Sequence, residues 1–400
     1  MRKRFLTAVS TLIAAALASG SLVALASQSR AEFVPHRHRT EFTARVGQHG
    51  PRVPVQIAKP TLIWQIWSTE PHIKVKAVTM TVDERSVNAK YDDEARAVIY
   101  TPTNPLSAGD HKIYCQVTFD NDLRFDQRWV TPIAANSLSS LPPATREQSE
   151  AVSVLNEVRS RIGLPAVTQD DRLNMASQGH VHYLTVNNTT GHTETPGLPG
   201  YLATNGGDRI EIFGFVGTSW EDVAFGAHSV RESIEDLYSA PYHRVPFMMP
   251  GSPYFGSSFD NPRFTMEIGA SNRTGSVIAP GDGQKGVPCA WHDFERPDPL
   301  RIHSTTTRVT GYPIVFSHFG AGYPRIRKMF AWLVGPDGKD VPIWLNTPDN
   351  DSSLTLAAIL IPQKPLRPNS TYKVGFDGSD ENGQTVRAET SFSTQAQTRQ

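Results

Sequence analysis

Apolar and polar residues alternate in short runs at both ends of the chain, as expected for strands with one buried face. In the first third, these runs cover residues 53–57, 61–67, 73–82, 97–101, 111–119 and 125–130. The run at 111–119 places Ile113, Cys115 and Val117 on one strand face. Regularly spaced short strands with turns between them predict a β-sandwich over residues 35–135.

The same alternation returns near the C-terminus, at residues 312–316, 330–334 and 341–345. A Pro-Asp-Gly turn at residues 336–338 precedes the last of these runs. Residues 105–111 and 365–371 both open with Pro-Leu and lead into a strand pattern, which indicates a weak internal repeat. We therefore predict a second β-sandwich over residues 299–396.

The middle of the chain follows the helical period instead. Apolar side chains at four helically spaced positions predict a first helix that ends at Gly163. A second helix is expected to begin near Thr168, and a third at Ser229, with Glu232 in the capping position. Residues 220–225 and 263–270 have the composition of strands.

Two segments rich in small, polar and proline residues bracket this region, at 136–148 and 276–298. We expect both to be linkers, so that a central domain spans residues 149–275. The predicted fold class is a multidomain α+β protein, in which a mixed central domain lies between two all-β sandwiches.

Composition removes several classes of function. The 400 residues include 39 Lys and Arg against 39 Asp and Glu, so no basic surface is expected to attract nucleic acid. The 29 Gly and 30 Pro residues agree with many turns. A chain of this length and 38% hydrophobic content is long enough for several packed domains.

The N-terminus resembles an export signal. Residues 1–31 combine a basic start, an apolar stretch at residues 5–18 and small residues before Ala26 and Ala31, either of which would suit cleavage. A membrane anchor is the alternative, but Ser and Gly residues interrupt the apolar stretch. Since no later segment resembles a transmembrane span, we expect a secreted or cell-surface protein.

The two cysteines are too few for a disulfide framework. Cys115 lies on a predicted buried strand face and is interpreted as a small apolar residue. A Cys115–Cys289 bridge between two domains is the alternative. Neither cysteine has neighbours that indicate a metal site or a catalytic thiol.

Six short motifs follow one another across the central region. They are Leu155-Asn156-Glu157-Val158-Arg159, Gly163-Leu164-Pro165, Gly191-His192-Thr193-Glu194, Glu221-Asp222-Val223-Ala224-Phe225-Gly226, Ala240-Pro241-Tyr242-His243-Arg244 and Glu267-Ile268-Gly269. In this order, over residues 149–273, they resemble the bacterial branch of the CAP superfamily of cysteine-rich secretory proteins, antigen 5 and pathogenesis-related plant proteins. The resemblance implies an α/β/α sandwich with a shallow groove. The flanking sandwiches resemble bacterial immunoglobulin-like modules.

The resemblance also implies site residues, because the groove of this family usually holds two histidines and two acidic residues. By position these are His192, Glu221 and His243. Two imidazoles and a carboxylate suit either a divalent metal such as Zn²⁺ or general acid/base catalysis. The chain departs from the family at Trp220, where a glycine is usual, and at Ala240, where a second glutamate is usual. The fourth groove residue therefore stays unassigned.

Each of these residues also has a purely structural interpretation. His192 could cap carbonyls after a helix, Glu221 could be an exposed strand residue, and His243 could complement a helix dipole. His180 lies on an apolar helix face, which is typical of a core histidine, and Arg244 is interpreted as structural.

Two functions follow from this reading. The first is a secreted module whose groove binds an extracellular lipid, peptide, glycan or cell-wall component. The second is a metal-dependent hydrolase in which His192 and His243 hold the metal or move protons and Glu221 activates water. No Gly-x-Ser-x-Gly elbow or His-Glu-x-x-His helix occurs in the sequence.

Overall fold

The computed structural model describes residues 44–271, 273–292 and 294–396. The predicted signal peptide at residues 1–31 lies outside these residues, as does the start of the predicted N-terminal sandwich. In the described part of the chain, no helix has the length and apolar character needed to cross a membrane.

The first described segment forms two packed sheets. Its strands are β1 (Ala44–Gly50), β2 (Val55–Ile57), β3 (Leu62–Ser68), β4 (Val75–Val82), β5 (Arg85–Val87), β6 (Lys90–Asp92), β7 (Ala97–Tyr100), β8 (Gly109–Phe119) and β9 (Arg124–Leu138). One sheet has the order β1-β3-β7-β6 and the other β2-β9-β8-β4-β5. Ile113, Cys115 and Val117 of β8 face the core, as predicted from their alternation.

The central segment contains helices α1 (Arg146–Arg161), α2 (Asp171–Val186), α3 (Gly206–Ile212), α4 (Val230–Ser239) and α5 (Arg244–Phe247). Strands β10 (Thr168–Gln169), β11 (Ser219–Phe225), β12 (Tyr254–Asp260) and β13 (Arg263–Gly269) form one sheet in the order β10-β12-β13-β11. Helices α1 and α4 pack on one face of this sheet, and α2 and α3 pack on the other. The central segment therefore has three layers.

Successive side chains of β11 face opposite layers. Val223 packs with Tyr183 and Leu184 of α2, whereas Trp220 and Ala224 belong to the core with α1 and α4. By the same alternation, Glu221 points towards the α2 layer and Asp222 towards the α4 layer. This alternation places two polar clusters on opposite faces of the sheet.

Of the two helix starts predicted from the sequence, one is observed and one differs. Ser229 caps α4 by accepting from the Glu232 N–H, as predicted, and helix α1, whose start was not predicted, begins with a capping box from Thr145. Helix α2 is capped by Asp170 rather than Thr168. The start is later than predicted because Thr168 pairs with Tyr254 of β12 and is held in a strand.

The last segment forms a second pair of packed sheets. Its strands are β14 (Gly275–Ala279), β15 (Gln284–Val287), β16 (Trp291–His292), β17 (Val309–Thr310), β18 (Ile314–Phe319), β19 (Ile326–Val334), β20 (Ile343–Asn346), β21 (Ala357–Pro362), β22 (Thr371–Asp380) and β23 (Thr385–Thr394). The sheet orders are β14-β18-β21-β20 and β15-β23-β22-β19, and β16 pairs with β17.

The linker predicted at residues 276–298 needs correction. Strand β14 pairs with β18, β15 pairs with β23, and β16 pairs with β17. The proline and glycine residues that suggested a linker lie at turns between these short strands. The C-terminal sheets thus begin at Gly275 rather than near residue 299.

The central and C-terminal segments share one hydrophobic cluster, and the C-terminal sandwich has in addition a core of its own between its two sheets. Leu155 of α1 and Leu237 of α4 belong to the same buried cluster as Val315, Leu356 and Ile359. The two segments are packed as one body. The N-terminal sandwich has a separate core built around Leu62, Trp64 and Ile66, among other residues.

Arg244 also connects the central segment to the C-terminal segment. Its side chain is fully buried, and its guanidinium donates to the carbonyls of Tyr238 at 2.6 Å and Pro313 at 2.7 Å. The guanidinium also lies over the rings of Tyr238 and Tyr312. Arg244 therefore has a structural role, as interpreted from the sequence.

Both cysteines are free thiols, so the Cys115–Cys289 bridge considered from the sequence is not formed. Cys115 lies in the N-terminal core, where burial raises the pKa of its thiol to about 12. Cys289 is partly exposed in the C-terminal segment.

Candidate functional site

The structure brings His192 and Glu221 into contact. Gly191, with φ of 112°, turns the chain after α2, and His192 Nδ1 then lies 2.9 Å from Glu221 Oε1 on β11. Their side chains keep 8% and 9% of their exposure, so this pair is the solvent-facing edge of a larger buried group. We call that group the His–Glu–Arg cluster, and its members are His180, His192, Glu194, Arg209, Glu221 and Glu267.

A buried arginine lies behind this edge. The side chain of Arg209 on α3 is fully buried, and its guanidinium forms an ion pair with Glu221 Oε2. It also lies 3.6 Å from Glu194 Oε1 and donates to the His192 carbonyl at 2.9 Å. Because an ionised carboxylate in the interior needs a partner, Arg209 accounts for the burial of two glutamates at once.

His180 and Glu194 form the deepest part of the cluster, and both side chains are fully buried. His180 Nδ1 lies 2.9 Å from Glu194 Oε1, and His180 Nε2 lies 3.0 Å from the Gly191 carbonyl. Both ring nitrogens therefore lie within hydrogen-bond distance of an acceptor oxygen. Glu194 Oε2 accepts from the backbone N–H of Leu202 at 2.8 Å. The loop after α2 is thereby fixed to the helix.

Strand pairing adds a second carboxyl group, because Glu221 of β11 lies directly opposite Glu267 of β13. Burial opposes ionisation of Glu221, but the charges of Arg209 and His180 and the His192 hydrogen bond hold the pKa of Glu221 well below its usual range. Burial and the nearby Glu221 charge raise the pKa of Glu267 well above its usual range. The two environments thus push the carboxyl groups in opposite directions, Glu221 towards the ionised form and Glu267 towards the protonated form.

His243 belongs to a different cluster, on the α4 face of the sheet. Its Nδ1 lies 2.8 Å from Glu295 Oε1, which also accepts from the backbone N–H of Tyr242 at 2.9 Å. Burial disfavours the protonated ring, yet the Glu295 hydrogen bond and the Asp222 charge raise the pKa of His243. Burial raises the pKa of Asp222 to about 7. His243, Asp222 and Glu295 thus form a second buried polar group.

The three residues assigned from the sequence are therefore divided between two clusters. His192 and Glu221 meet, whereas His243 contacts Glu295 instead. Within the described residues, no group of three or more His, Cys, Asp or Glu side chains is arranged to hold a metal ion. The Zn²⁺ set predicted from His192, Glu221 and His243 is not assembled.

The side chains present also do not fit a divalent metal at this place. The Arg209 guanidinium already supplies positive charge to Glu194 and Glu221. His180 uses both ring nitrogens for Glu194 and the Gly191 carbonyl, and the Glu221 contact leaves His192 only its Nε2 atom as a metal ligand. A cation at this place would compete with an arginine that is tied by its own hydrogen bonds.

The sequence patterns did not identify four members of the cluster as site residues: His180, Glu194, Arg209 and Glu267. The helical pattern identified His180 correctly as buried, but it does not show a partner 14 residues away. Arg209 lies on a short helix that the pattern did not predict. Glu267 could have been found, because the predicted strands at 220–225 and 263–270 pair it with Glu221 if they are antiparallel.

A groove of about 380 Å³ lies between the N-terminal sandwich and α3, next to this cluster. Its lining residues are Val53, Pro54, Gln56, Leu202, Ala203, Asp208 and Ile212. Leu202 and Ala203 also donate their backbone N–H groups to Glu194, at 2.8 and 3.3 Å. The groove wall and the cluster are therefore connected through Glu194, although His192 and Glu221 do not line the groove.

No family model and no curated protein matches the chain. Among solved structures, an extracellular protein with an SCP domain from Bacillus anthracis is 12% identical, with a TM-score of 0.28 over 57% of this chain and 88% of its own. An outer surface protein from Borrelia burgdorferi is 18% identical, with a TM-score of 0.27 over 32% of this chain and 96% of its own. Fibronectin(III)-like modules of CbhA from Clostridium thermocellum are 13% identical, with a TM-score of 0.18 over 23% of this chain and 97% of theirs. At such low identities and TM-scores, these likenesses establish neither a family nor a function for this chain.

Proposed function

We propose that this is a secreted or cell-surface binding protein of the CAP type, in which the His192–Glu221 edge contacts an extracellular ligand without a divalent metal. The observation that carries the proposal is the Arg209–Glu221 ion pair. It holds an ionised carboxylate at the one edge of the cluster that retains exposure. The six ordered motifs that resemble the CAP superfamily and the predicted signal peptide support the extracellular setting.

The charge of this edge favours one class of ligand. Glu221 stays ionised, and a second carboxyl group, Glu267, lies beside it. A carboxylate edge attracts hydrogen-bond donors such as amino and hydroxyl groups, and it repels phosphate. We therefore favour a donor-rich cell-wall component or peptide over a phospholipid headgroup as the ligand.

Co-sedimentation with purified peptidoglycan sacculi tests this proposal. Wild-type protein should sediment with the sacculi, and Glu221→Gln should weaken binding about tenfold through loss of a charge-assisted hydrogen bond. His192→Ala should weaken binding while leaving the Arg209–Glu221 pair in place, which separates binding from folding. Glu235→Gln is the matched control, because this half-exposed glutamate lies on α4, away from the cluster, and pairs with Arg231.

Two results would contradict the proposal. Equal sedimentation of the wild type, Glu221→Gln and His192→Ala would place the contact elsewhere on the chain. Binding to phosphatidylglycerol vesicles but not to sacculi would show that the ligand is an anionic lipid, contrary to the charge of the edge.

A hydrolase is the second candidate, because Glu221 and Glu267 form a carboxylate–carboxylic acid pair of the kind that acid/base catalysis uses. Glu221 would accept a proton from water and Glu267 would donate one to the leaving group. Glu267 is only 1% exposed, however, and a general acid must reach its substrate. Binding is therefore the better supported function. If the wild type turned over a substrate, and Glu267→Gln lost this activity but still bound the substrate, hydrolysis would become the better supported function.

A further inference from the structure

The C-terminal sandwich exposes two aromatic side chains on one strand. Phe330 of β19 is 72% exposed, more than any other large hydrophobic side chain of the described residues, and Trp332 is 38% exposed. Residues two apart in a strand point to the same side and lie about 6.7 Å apart along it. The two rings therefore form one outward-facing apolar surface.

Trp332 lies flat on the sheet because its cross-strand neighbour has no side chain. Trp332 pairs with Gly375 of β22, and a Cβ atom at Gly375 would come within 2.5 Å of the indole ring. The indole thus rests on the bare backbone of β22. A ring held in this way keeps one π-face against the protein and offers the other to a ligand.

Polar side chains surround the two rings on the same face of the sheet. Asp377 lies opposite Phe330, and Arg387 and Glu389 of β23 follow in the next row. Arg387 donates to Glu389 at 2.9 Å and lies 3.6 Å from Asp377, and all three side chains are more than half exposed. Because these charges are mixed and mutually paired, the surface offers both hydrogen-bond donors and acceptors.

Because β19 lies at the edge of its sheet, a second copy of this chain is another candidate to bind at this surface. Strand β19 is the last strand of its sheet, and edge strands can pair with other chains. Its register shifts between Arg327 and Phe330, and Lys328 takes a left-handed φ of 49°. A bulge and exposed cationic residues are features that prevent edge pairing. The geometry thus favours a ligand on the sheet face over a chain at the sheet edge.

We infer that this surface, made of Phe330, Trp332, Asp377, Arg387 and Glu389, binds a neutral glycan chain. The C–H groups on one face of a sugar ring carry partial positive charge, which the negative face of an aromatic ring attracts. Two rings spaced along one strand can contact neighbouring sugar units of a chain. The flanking carboxylates and guanidinium can accept from and donate to the sugar hydroxyls. This site is independent of the His192–Glu221 edge and adds a second ligand to the protein.

Calorimetric titration of the mature protein with cellohexaose, chitohexaose, xylohexaose and mannohexaose tests the inference. At least one of these should bind, and Trp332→Ala should weaken that binding by at least about tenfold, since the stacked area is lost. Gly375→Ala should also weaken it, because a methyl group there displaces the indole. Leu123→Ala is the matched control for removing an exposed hydrophobic side chain in the other sandwich.

The other outcomes overturn the inference. No heat with any of the four hexasaccharides would do so, as would unchanged affinity in Trp332→Ala. Sedimentation velocity tests the alternative partner. If the wild type formed dimers and the Phe330→Ala/Trp332→Ala variant did not, the surface would bind a second copy of the chain instead of a glycan. Glu221→Gln should bind the hexasaccharide like the wild type, so failure at this surface is distinguishable from failure at the His192–Glu221 edge.

Discussion

At the scale of single residues, Arg209 is the most consequential side chain of the candidate site. It pairs with Glu221, lies beside Glu194 and holds the His192 carbonyl, all without solvent contact. The sequence predicted His192 and Glu221 through short motifs in a particular order. It could not predict Arg209, since a single basic residue in a polar loop looks like many surface residues.

Replacement of Arg209 by methionine should destabilise the protein by about 3–5 kcal/mol, because it leaves buried carboxylates without their partner. Urea unfolding monitored by circular dichroism measures the change. Arg231→Met is the matched control: its pair with Glu157 is about half exposed on both sides, so the loss should be much smaller than that of the Arg209 variant. Equal losses for the two variants would show that the cluster does not depend on Arg209.

Asp222→Asn should change the pH dependence of stability. Burial raises the pKa of Asp222 to about 7, so the folded state holds its proton more tightly than the unfolded chain does. This tighter proton binding contributes to the free energy of unfolding. The contribution is fully present below about pH 4 and is lost as the pH rises towards 7. The variant should therefore gain stability relative to the wild type from pH 5 to pH 8 in urea unfolding. A stability difference between the variant and the wild type that does not vary with pH would show that Asp222 titrates normally.

At the scale of elements, the segment from Gly275 to residue 298 shows where sequence patterns fail. Its strands are two to five residues long, too short for alternation to be recognised, and its proline and glycine residues suggest a linker. Strand β21 was missed for another reason. All six of its residues are buried, so the run lacks the alternation that marks a half-exposed strand.

Glu295 joins this segment to the central helices. Its carboxylate accepts from the backbone N–H groups of Tyr242 and His243 and from the His243 ring. Glu295→Ala leaves these donors buried without a partner and should destabilise the protein by about 1–3 kcal/mol. Amide hydrogen exchange at Tyr242 and His243 should accelerate, whereas exchange in β8 should not change. Unaltered exchange at both amides would mean that Glu295 does not hold the turn.

At the scale of the whole molecule, the central and C-terminal segments pack through a shared hydrophobic cluster, whereas the N-terminal sandwich has a separate core. The order of sandwich, mixed domain and sandwich was predictable, because periodicity reports the type of each element. The shared core of the central and C-terminal segments was not predictable. Burial on one face of a helix does not show which segment covers that face, and α1, α4 and Leu356 meet only in the folded chain.

Scanning calorimetry should therefore show two transitions. Leu356→Ala removes packing in the shared core, typically about 2–5 kcal/mol, and should lower the transition that includes both the central helices and the C-terminal sheets. Leu62→Ala should lower only the transition of the N-terminal sandwich. Three independent transitions, with Leu356→Ala affecting only one of them, would contradict a shared core.

The central claim is that an arginine, and not a divalent metal, supplies the positive charge beside Glu221 at the His192–Glu221 edge. Calorimetric titration of Zn²⁺ into the mature wild-type protein and into the His192→Ala/Glu221→Gln double variant tests it most directly. We expect the same weak heat for both proteins, because Arg209 already occupies the position of a cation beside Glu221. Stoichiometric Zn²⁺ binding by the wild type that disappears in the double variant would contradict the account and restore a metal-loaded site.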